Sequence, residues 1–378
     1  MTLIYLVAGE ASGDVLGARL ITALRGLDPG LEFAGIGGPM MAALGLPSLF
    51  PMQELSLMGL VEILPNLSRL RRRMAQTVAD IATRKPAIVV TIDSPGFSLR
   101  LLRRIADLGV RRVHYVAPQV WAWRPKRVKH FPGLWDRLLC LLPFEPAFFE
   151  PFGLSPVFVG HPVLESGADQ GDPARFRAHF NLNTSARPLL LPPGSRSGEL
   201  NRLLPVFRAT LDRLLAAHPD LVPVLAAAPS MADRVQRDVA DWPVQPLIVT
   251  DPASRYDAFA ASVAALTKSG TSTLELAMAN LPMVVTYRVH PLTAAIAQRL
   301  VTVEYAAIVN LLAQRRLVPE LIQQSCTPDQ LVAALAPLLT GGEGAAQQAG
   351  FAEIVAMLTP QTGEPPSLAA ARAVLAAL

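Results

Sequence analysis

The sequence has little of what holds small or metal-bound folds together. Only two of its 378 residues are cysteine, too few for a disulfide framework or a Cys-based zinc site. Cys140 and Cys326 sit in apolar or helical contexts and are expected to be buried thiols in a reducing cytoplasm. There are six histidines and none follows an H-x₃-H spacing, so no metal is expected. Proline is abundant at 34, but without a G-X-Y period, which excludes collagen. No repeat with a period of about 20–50 residues is present. No run of ~18 uncharged apolar residues occurs, so no membrane-spanning helix is expected. The opening MTLIYLVAGEASGD has no basic start, and its apolar run ends at Ala8, so no signal peptide is expected.

Charged residues are also scarce, at 17%, against 51% hydrophobic. That balance excludes a disordered chain and supplies an ample core. The net charge of +4 is a small excess, and aromatics make up only 6%. Nucleic acid is therefore not an expected partner. A mean hydropathy of +0.34 is high for a protein without a spanning helix. Slightly basic and apolar together suit an anionic membrane surface or phosphorylated substrates. At roughly 150 residues per domain, the length suggests two domains or three.

Two successive runs of alternating strand and helix patterns fill the chain. The first runs from Thr2–Ala8 through Leu31–Ile36, Ala87–Asp93, Arg112–Val116 and Arg137–Leu142 to Val157–Val159. A polar stretch from Glu165 to Ala186 reads as a linker with a short helix. The second run places strands at Pro188–Leu191, Leu221–Ala226, Leu247–Val249, Val263–Thr267 and Met283–Thr286. Helices are expected at Leu200–Ala217 and Ser269–Asn280, and the remainder reads as helical apart from a loop at Gly341–Gly344. This is an α/β chain of two Rossmann-like domains facing each other, with ligand between them at the carboxyl ends of the strands. The expected division is residues 1–165, 166–350 and a helical tail, 351–378, that packs back on the first domain.

Three strand-to-helix turns invite chemistry. In Gly9–Asp14 glycine allows close backbone approach, and Ser12 or Asp14 can cap the helix; a plain capped turn explains the spacing equally well. It is not a dinucleotide fingerprint. In Pro193-Gly194-Ser195-Arg196-Ser197-Gly198-Glu199, free amides at a helix start and the fork of Arg196 suit a phosphate. In Lys268-Ser269-Gly270-Thr271-Ser272-Thr273-Leu274-Glu275, Glu275 lies one turn after Thr271 on the same face and could accept bonds from a ribose diol. Two such turns in the second half imply a nucleoside diphosphate there. Asp93, ending a buried strand before Ser94-Pro95, is a candidate general base or an ordinary turn acid. Met58, Leu60, Ile63 and Leu64, followed by Arg69, Arg71, Arg72 and Arg73, pair an apolar wedge with a basic cluster, the pattern of a membrane contact or of a core helix with a solvated end.

Taken in order, VAGEASGD (Val7–Asp14), MGLVEIL (Met58–Leu64), IDSPGF (Ile92–Phe97), HYVAPQVWAWRPKRV (His114–Val128), LPFE (Leu142–Glu145), GHP (Gly160–Pro162), PGSRSGE (Pro193–Glu199), SGTSTLE (Ser269–Glu275), PMVVTYR (Pro282–Arg288) and VNLLAQRRLVPELIQ (Val309–Gln323) resemble the lipid-A-disaccharide synthase family. These are inverting glycosyltransferases of the GT-B fold, and the resemblance covers nearly the whole chain. It implies transfer from UDP-2,3-diacylglucosamine to 2,3-diacylglucosamine 1-phosphate, giving the β-1,6-linked disaccharide 1-phosphate and UDP. It implies Asp93 as base for the acceptor 6-hydroxyl, Arg196 as the stabiliser of departing UDP and Asn310 as a donor contact. Glu10, Ser12 and Gly13 fall on the acceptor side, and Ser195, Ser269, Gly270, Thr271 and Glu275 on the donor side. No metal or other cofactor is implied. The expected location is cytoplasmic, peripheral on the anionic inner membrane, and a homodimer stays open. Departures are Gly96 where the family often has a second acid, Ala117 for a serine, Val309 for a proline and Glu165 for an aspartate. A UDP-sugar 2-epimerase and a catalytically dead nucleotide-sugar or lipid-binding protein remain as alternatives.

Overall fold

The computed structural model of the chain describes residues 2–55, 66–290, 293–294 and 300–378. It divides into two compact units, Met1–Pro162 with Leu358–Leu378, and Val163–Met357. Each is built on a six-stranded parallel sheet.

In the first unit the strands are β1 (Thr2–Ala8), β2 (Leu31–Ile36), β3 (Ile88–Ile92), β4 (Arg111–Tyr115), β5 (Arg137–Cys140) and β6 (Pro156–Phe158), in the spatial order β2-β1-β3-β4-β5-β6. All of β3 is buried, as is most of β1. Continuous apolar runs of this kind are what a sheet covered on both faces demands. The helix Pro366–Leu375 packs on the helix Ala11–Leu27 and adds Ala370, Ala371 and Val374 to this core. The strand order reverses between β1 and β3, and the loops leaving those two strands flank the switch point.

The second unit contains β7 (Arg187–Leu190), β8 (Leu221–Ala226), β9 (Leu247–Val249), β10 (Ala264–Lys268), β11 (Met283–Tyr287) and β12 (Glu320–Ile322), ordered β12-β11-β10-β7-β8-β9. Its switch point lies between β10 and β7, so the PGSRSGE and SGTSTLE turns flank it. Many of the prolines stand at helix starts, where the missing N–H costs nothing. Asp172, Asp251 and Thr327 each precede such a proline and cap the helix with a side-chain oxygen.

Several elements differ from the sequence reading. β12 falls in a stretch read as helical; it is three residues long, half-buried and paired only with β11, too short to show a period of two. The helix Ser197–Ala217 begins three residues before Leu200. The helix Ser272–Met278 is shorter than expected, and Gly342 opens a helix where a loop was expected. The helix Ala11–Leu27 has Glu10 at its N-cap and no side-chain cap, so neither Ser12 nor Asp14 caps it. Asp14 is buried and caps the next helix, Pro39–Ala43, accepting from the amides of Gly38, Met40 and Met41 at 2.8, 2.9 and 3.1 Å. Both cysteines are buried and free.

Candidate active site

The first unit gathers its chemistry at the carboxyl ends of β1, β3 and β4. Asp93 follows β3 with φ +49°, and Ser94 continues at +47°. Consecutive left-handed residues that are not glycine cost energy, and such strain collects at functional sites. The turn is held by the Asp93 amide, which donates to the Tyr115 carbonyl at 2.8 Å, and by the Ser98 hydroxyl, which donates to the Asp93 carbonyl at 2.7 Å. Val116, one residue beyond β4, has φ +78°, an outlier for a β-branched residue. Asp93 and Val116 line one cavity of about 320 Å³ together with Gln119, Trp123 and Arg127. Burial raises the Asp93 carboxyl above the usual carboxylate range, opposed by a hydrogen bond from the Ser94 amide. A carboxylate so shifted is a better proton acceptor near neutral pH.

A second cavity, of about 390 Å³, adjoins the same turn. Glu10, Ser94, Arg71, Arg100 and Arg104 edge an apolar wall that includes Leu55, Leu70 and Phe97. Gly9 is fixed by close packing, since a Cβ there would stand 2.4 Å from Ser94 Oγ. Ser12 is exposed at the start of its helix. Gly13 is buried, with the Ala8 Cβ 3.4 Å from where its own Cβ would be. It packs against the end of β1.

In the second unit Arg196 is exposed, at the N-cap of the helix Ser197–Ala217. Behind it Glu199 is buried and reaches back to accept from the Ser195 amide at 3.0 Å. Its other oxygen meets Lys268 Nζ at 3.1 Å. Lys268 ends β10, so this ion pair ties the PGSRSGE turn to the SGTSTLE turn across the switch point. Gly194 has φ +105°, and a Cβ there would strike the Glu199 carboxylate. Tyr287, ending β11, is half-buried, and its phenol is raised by burial and by Glu199. Ser269 donates its hydroxyl to the Ala306 carbonyl at 2.7 Å, Gly270 has φ +149°, and Thr271 is exposed. Glu275 accepts through Oε1 from Arg255 at 2.7 Å and from the Tyr256 hydroxyl at 3.1 Å, leaving lone pairs for a further donor.

Asn310, expected as a donor contact, lies in the helix Ile308–Ala313. It is fully buried, and its amide donates to the Val318 carbonyl at 2.9 Å and to Glu320 at 2.7 Å while accepting from the Val318 amide at 2.8 Å. Its printed side-chain hydrogen bonds run to Val318 and Glu320 within the second unit. Through it Glu320 is aimed at the amides of Ala306 and Ala307, and Ala306 in turn holds Ser269. Neither Glu320 nor Lys268 was among the expected site residues. The signal for Lys268 was its rarity and its place at a strand end; Glu320 lies in the missed strand.

Met58, Leu60, Ile63 and Leu64 lie outside the described residues. Of the arginines after them, Arg71 and Arg72 are exposed. Arg73 is bound to Glu54 and Gln76 and stacks 4.7 Å over the Phe50 ring. Among the described residues no group of three or more His, Cys, Asp or Glu could hold a metal ion, and no helix is long and apolar enough to cross a membrane.

Comparison with known proteins agrees with this layout. A family model described as Lipid-A-disaccharide synthetase matches residues 4–371. The lipid-A-disaccharide synthase of Granulibacter bethesdensis is 59% identical over 363 residues, 94% of this chain and 92% of that protein. That of Gluconobacter oxydans is 57% identical, covering 97% and 89%. Among solved structures, the glycosyltransferase of kitacinnamycin matches with a TM-score of 0.64 at 17% identity, over 100% of this chain and 99% of that one. A UDP-GlcNAc 2-epimerase from Neisseria meningitidis matches with 0.63 at 10%, over 100% and 98%; these two likenesses concern the fold alone. With a family model spanning nearly its whole length and relatives well above half identical, the chain belongs to the lipid-A-disaccharide synthase family, hexosyltransferases of the GT-B fold.

Proposed function

We propose that this chain joins UDP-2,3-diacylglucosamine to 2,3-diacylglucosamine 1-phosphate. The acceptor 6-hydroxyl attacks C1 of the donor sugar, Asp93 takes the hydroxyl proton, and the C1–O bond to UDP breaks with inversion. Arg196, with the Ser197 amide beside it, offsets the charge that develops on the departing diphosphate. Glu275 holds the ribose, and the Glu199–Lys268 pair keeps the two turns in register. Acceptor binding belongs to the first unit and UDP-sugar binding to the second. The apolar-walled cavity beside Glu10 suits an acyl chain. No metal or other cofactor is required, and the enzyme works at the inner-leaflet surface, as a monomer or a homodimer.

The observation that carries this reading is the Asp93 carboxyl, raised by burial and held on a strained turn in a cavity beyond the carboxyl ends of β3 and β4. The test is product analysis with both substrates. Disaccharide 1-phosphate and UDP in equal amounts are expected. An isomerised UDP-sugar formed without acceptor would replace this reading with an epimerase.

A further inference from the structure

The cavity that contains Asp93 shares a wall with a second, basic one. The basic cavity, of about 460 Å³, is lined by Arg100, Arg103, Arg127 and His130, and no carboxylate among the described residues lines it. Arg127 and Phe131 line both cavities. Other arginines pair with carboxylates, Arg73 with Glu54, Arg175 with Asp257 and Arg255 with Glu275, while the exposed Arg71 and Arg104 of the cavity beside Glu10 form no ion pair among the described residues. In the basic cavity, among the described residues, the guanidiniums of Arg100 and Arg127 form no ion pair or hydrogen bond. Arg103 makes one long contact, 3.5 Å, to the His130 carbonyl. Arg100 and Arg103 share the exposed face of the helix Pro95–Arg104, whose Leu101 and Leu102 are buried. Arg100 and Arg103 thus stand on one helix, and Arg127 and His130 join them from the segment Pro125–His130, with no carboxylate among the described lining residues.

We propose that this basic cavity receives the phosphate monoester of the acceptor and that Arg127, with Arg100, determines specificity for a phosphorylated sugar. The proposal rests on the reading of Asp93 as the base for the acceptor hydroxyl. Guanidinium forks match phosphate oxygens in pairs, and a dianion supplies the missing counter-charge. A sugar anchored by its phosphate at Arg127 has its hydroxyl end left for the adjoining Asp93 cavity. Binding energy at one end of the acceptor then orients the reacting end.

The test compares wild type with Arg127→Gln and Arg100→Gln, both exposed positions, using short-chain diacylglucosamine with and without its 1-phosphate. Two readouts are taken: the ratio of kcat/KM for the two acceptors, and the ratio of their affinities by calorimetry without donor. A preference of wild type for the phosphate should fall roughly 10- to 100-fold in each variant, the loss expected for a charge-assisted contact. Arg127→Lys should recover part of it. UDP affinity should not move. If both variants keep the wild-type ratios while disaccharide forms, the phosphate pocket is wrong and the function stands. If no protein forms disaccharide but the affinity ratio falls in the variants, the pocket stands and the function does not.

Discussion

At the residue scale, the strongest demand falls on Asp93. A raised carboxyl beside a strained turn is matched to taking a proton, and Asp93→Asn keeps its size while removing that capacity. Turnover is expected to fall about 10²–10⁴-fold, the usual contribution of a general base, with UDP affinity unchanged by calorimetry. Activity within threefold of wild type would remove Asp93 from the mechanism. Arg196 is tested by Arg196→Ala. It lies at the N-cap of a 21-residue helix, where anions are favoured. Losing the charge-assisted contact should cost about 1.5–3 kcal/mol, read as weaker UDP binding together with slower turnover. If both stay at wild-type values, Arg196 is only a surface side chain.

At the element scale, the loops leaving β1 and β3 are interlocked through Gly9 and Ser94. Ser94 has φ +47°, and its hydroxyl is buried with no hydrogen-bond partner among the described residues. Gly9→Ala drives a methyl into that hydroxyl and should destabilise the unit by about 1–3 kcal/mol, as overpacking does. Ser94→Gly suits the left-handed backbone and removes the obstruction, so the double variant should recover most of the loss. Urea unfolding of the single and double variants measures the coupling, and strict additivity would mean that the two loops do not touch. Interlocks of this kind set the limit of what was legible in the sequence. The buried runs of β1 and β3, the prolines at helix starts and the two Gly-Ser turns carry local signals, and the alternation they form was readable. β12 was not, because three residues half-buried at a sheet edge carry no period. The roles of Asp14, Gly13 and Asn310 were not either. Each follows from what the residue meets across the fold, which residue type alone does not show.

At the scale of the whole molecule, two properties emerge from many residues together. The first is the proposed attachment to an anionic membrane surface. Apolar Met58, Leu60, Ile63 and Leu64 precede exposed Arg71 and Arg72 in the chain. Met58→Ser with Leu60→Ser should move the protein from anionic vesicles to the supernatant in flotation, with its melting temperature kept. Arg71→Ser with Arg72→Ser should weaken the salt dependence, since each basic residue near such a surface contributes about 1 kcal/mol. A destabilised serine pair that still floats would reveal a core segment instead.

The second property is acid stability of the first unit, which contains His114, His161 and Glu145. Burial pushes His114 and His161 down to about 4. Burial also pushes Glu145 up to about 7, against hydrogen bonds from the amides of Leu142 and Leu141 and from the Trp121 indole. The two signs oppose. Below the ordinary histidine value, about 6.5, the unfolded chain takes up two protons that the native histidines refuse, so stability falls with falling pH. Glu145 keeps a proton in the native state that the unfolded chain releases above about 4.5, so its part of the stability rises as pH falls from about 7. For these three groups the balance between about pH 6.5 and 4.5 is one proton taken up on unfolding, a loss of about 1.4 kcal/mol per pH unit, lessened by Asp93, whose raised carboxyl acts in the same sense as Glu145. Stability should therefore peak between about pH 6.5 and 7. Glu145→Gln removes the opposing group and should roughly double the acid slope. Three of the four tryptophans, Trp121, Trp123 and Trp135, lie in this unit, so their fluorescence during urea unfolding reports it directly. An unchanged slope in Glu145→Gln would mean that the carboxyl stays ionised throughout the window, held by its three N–H donors.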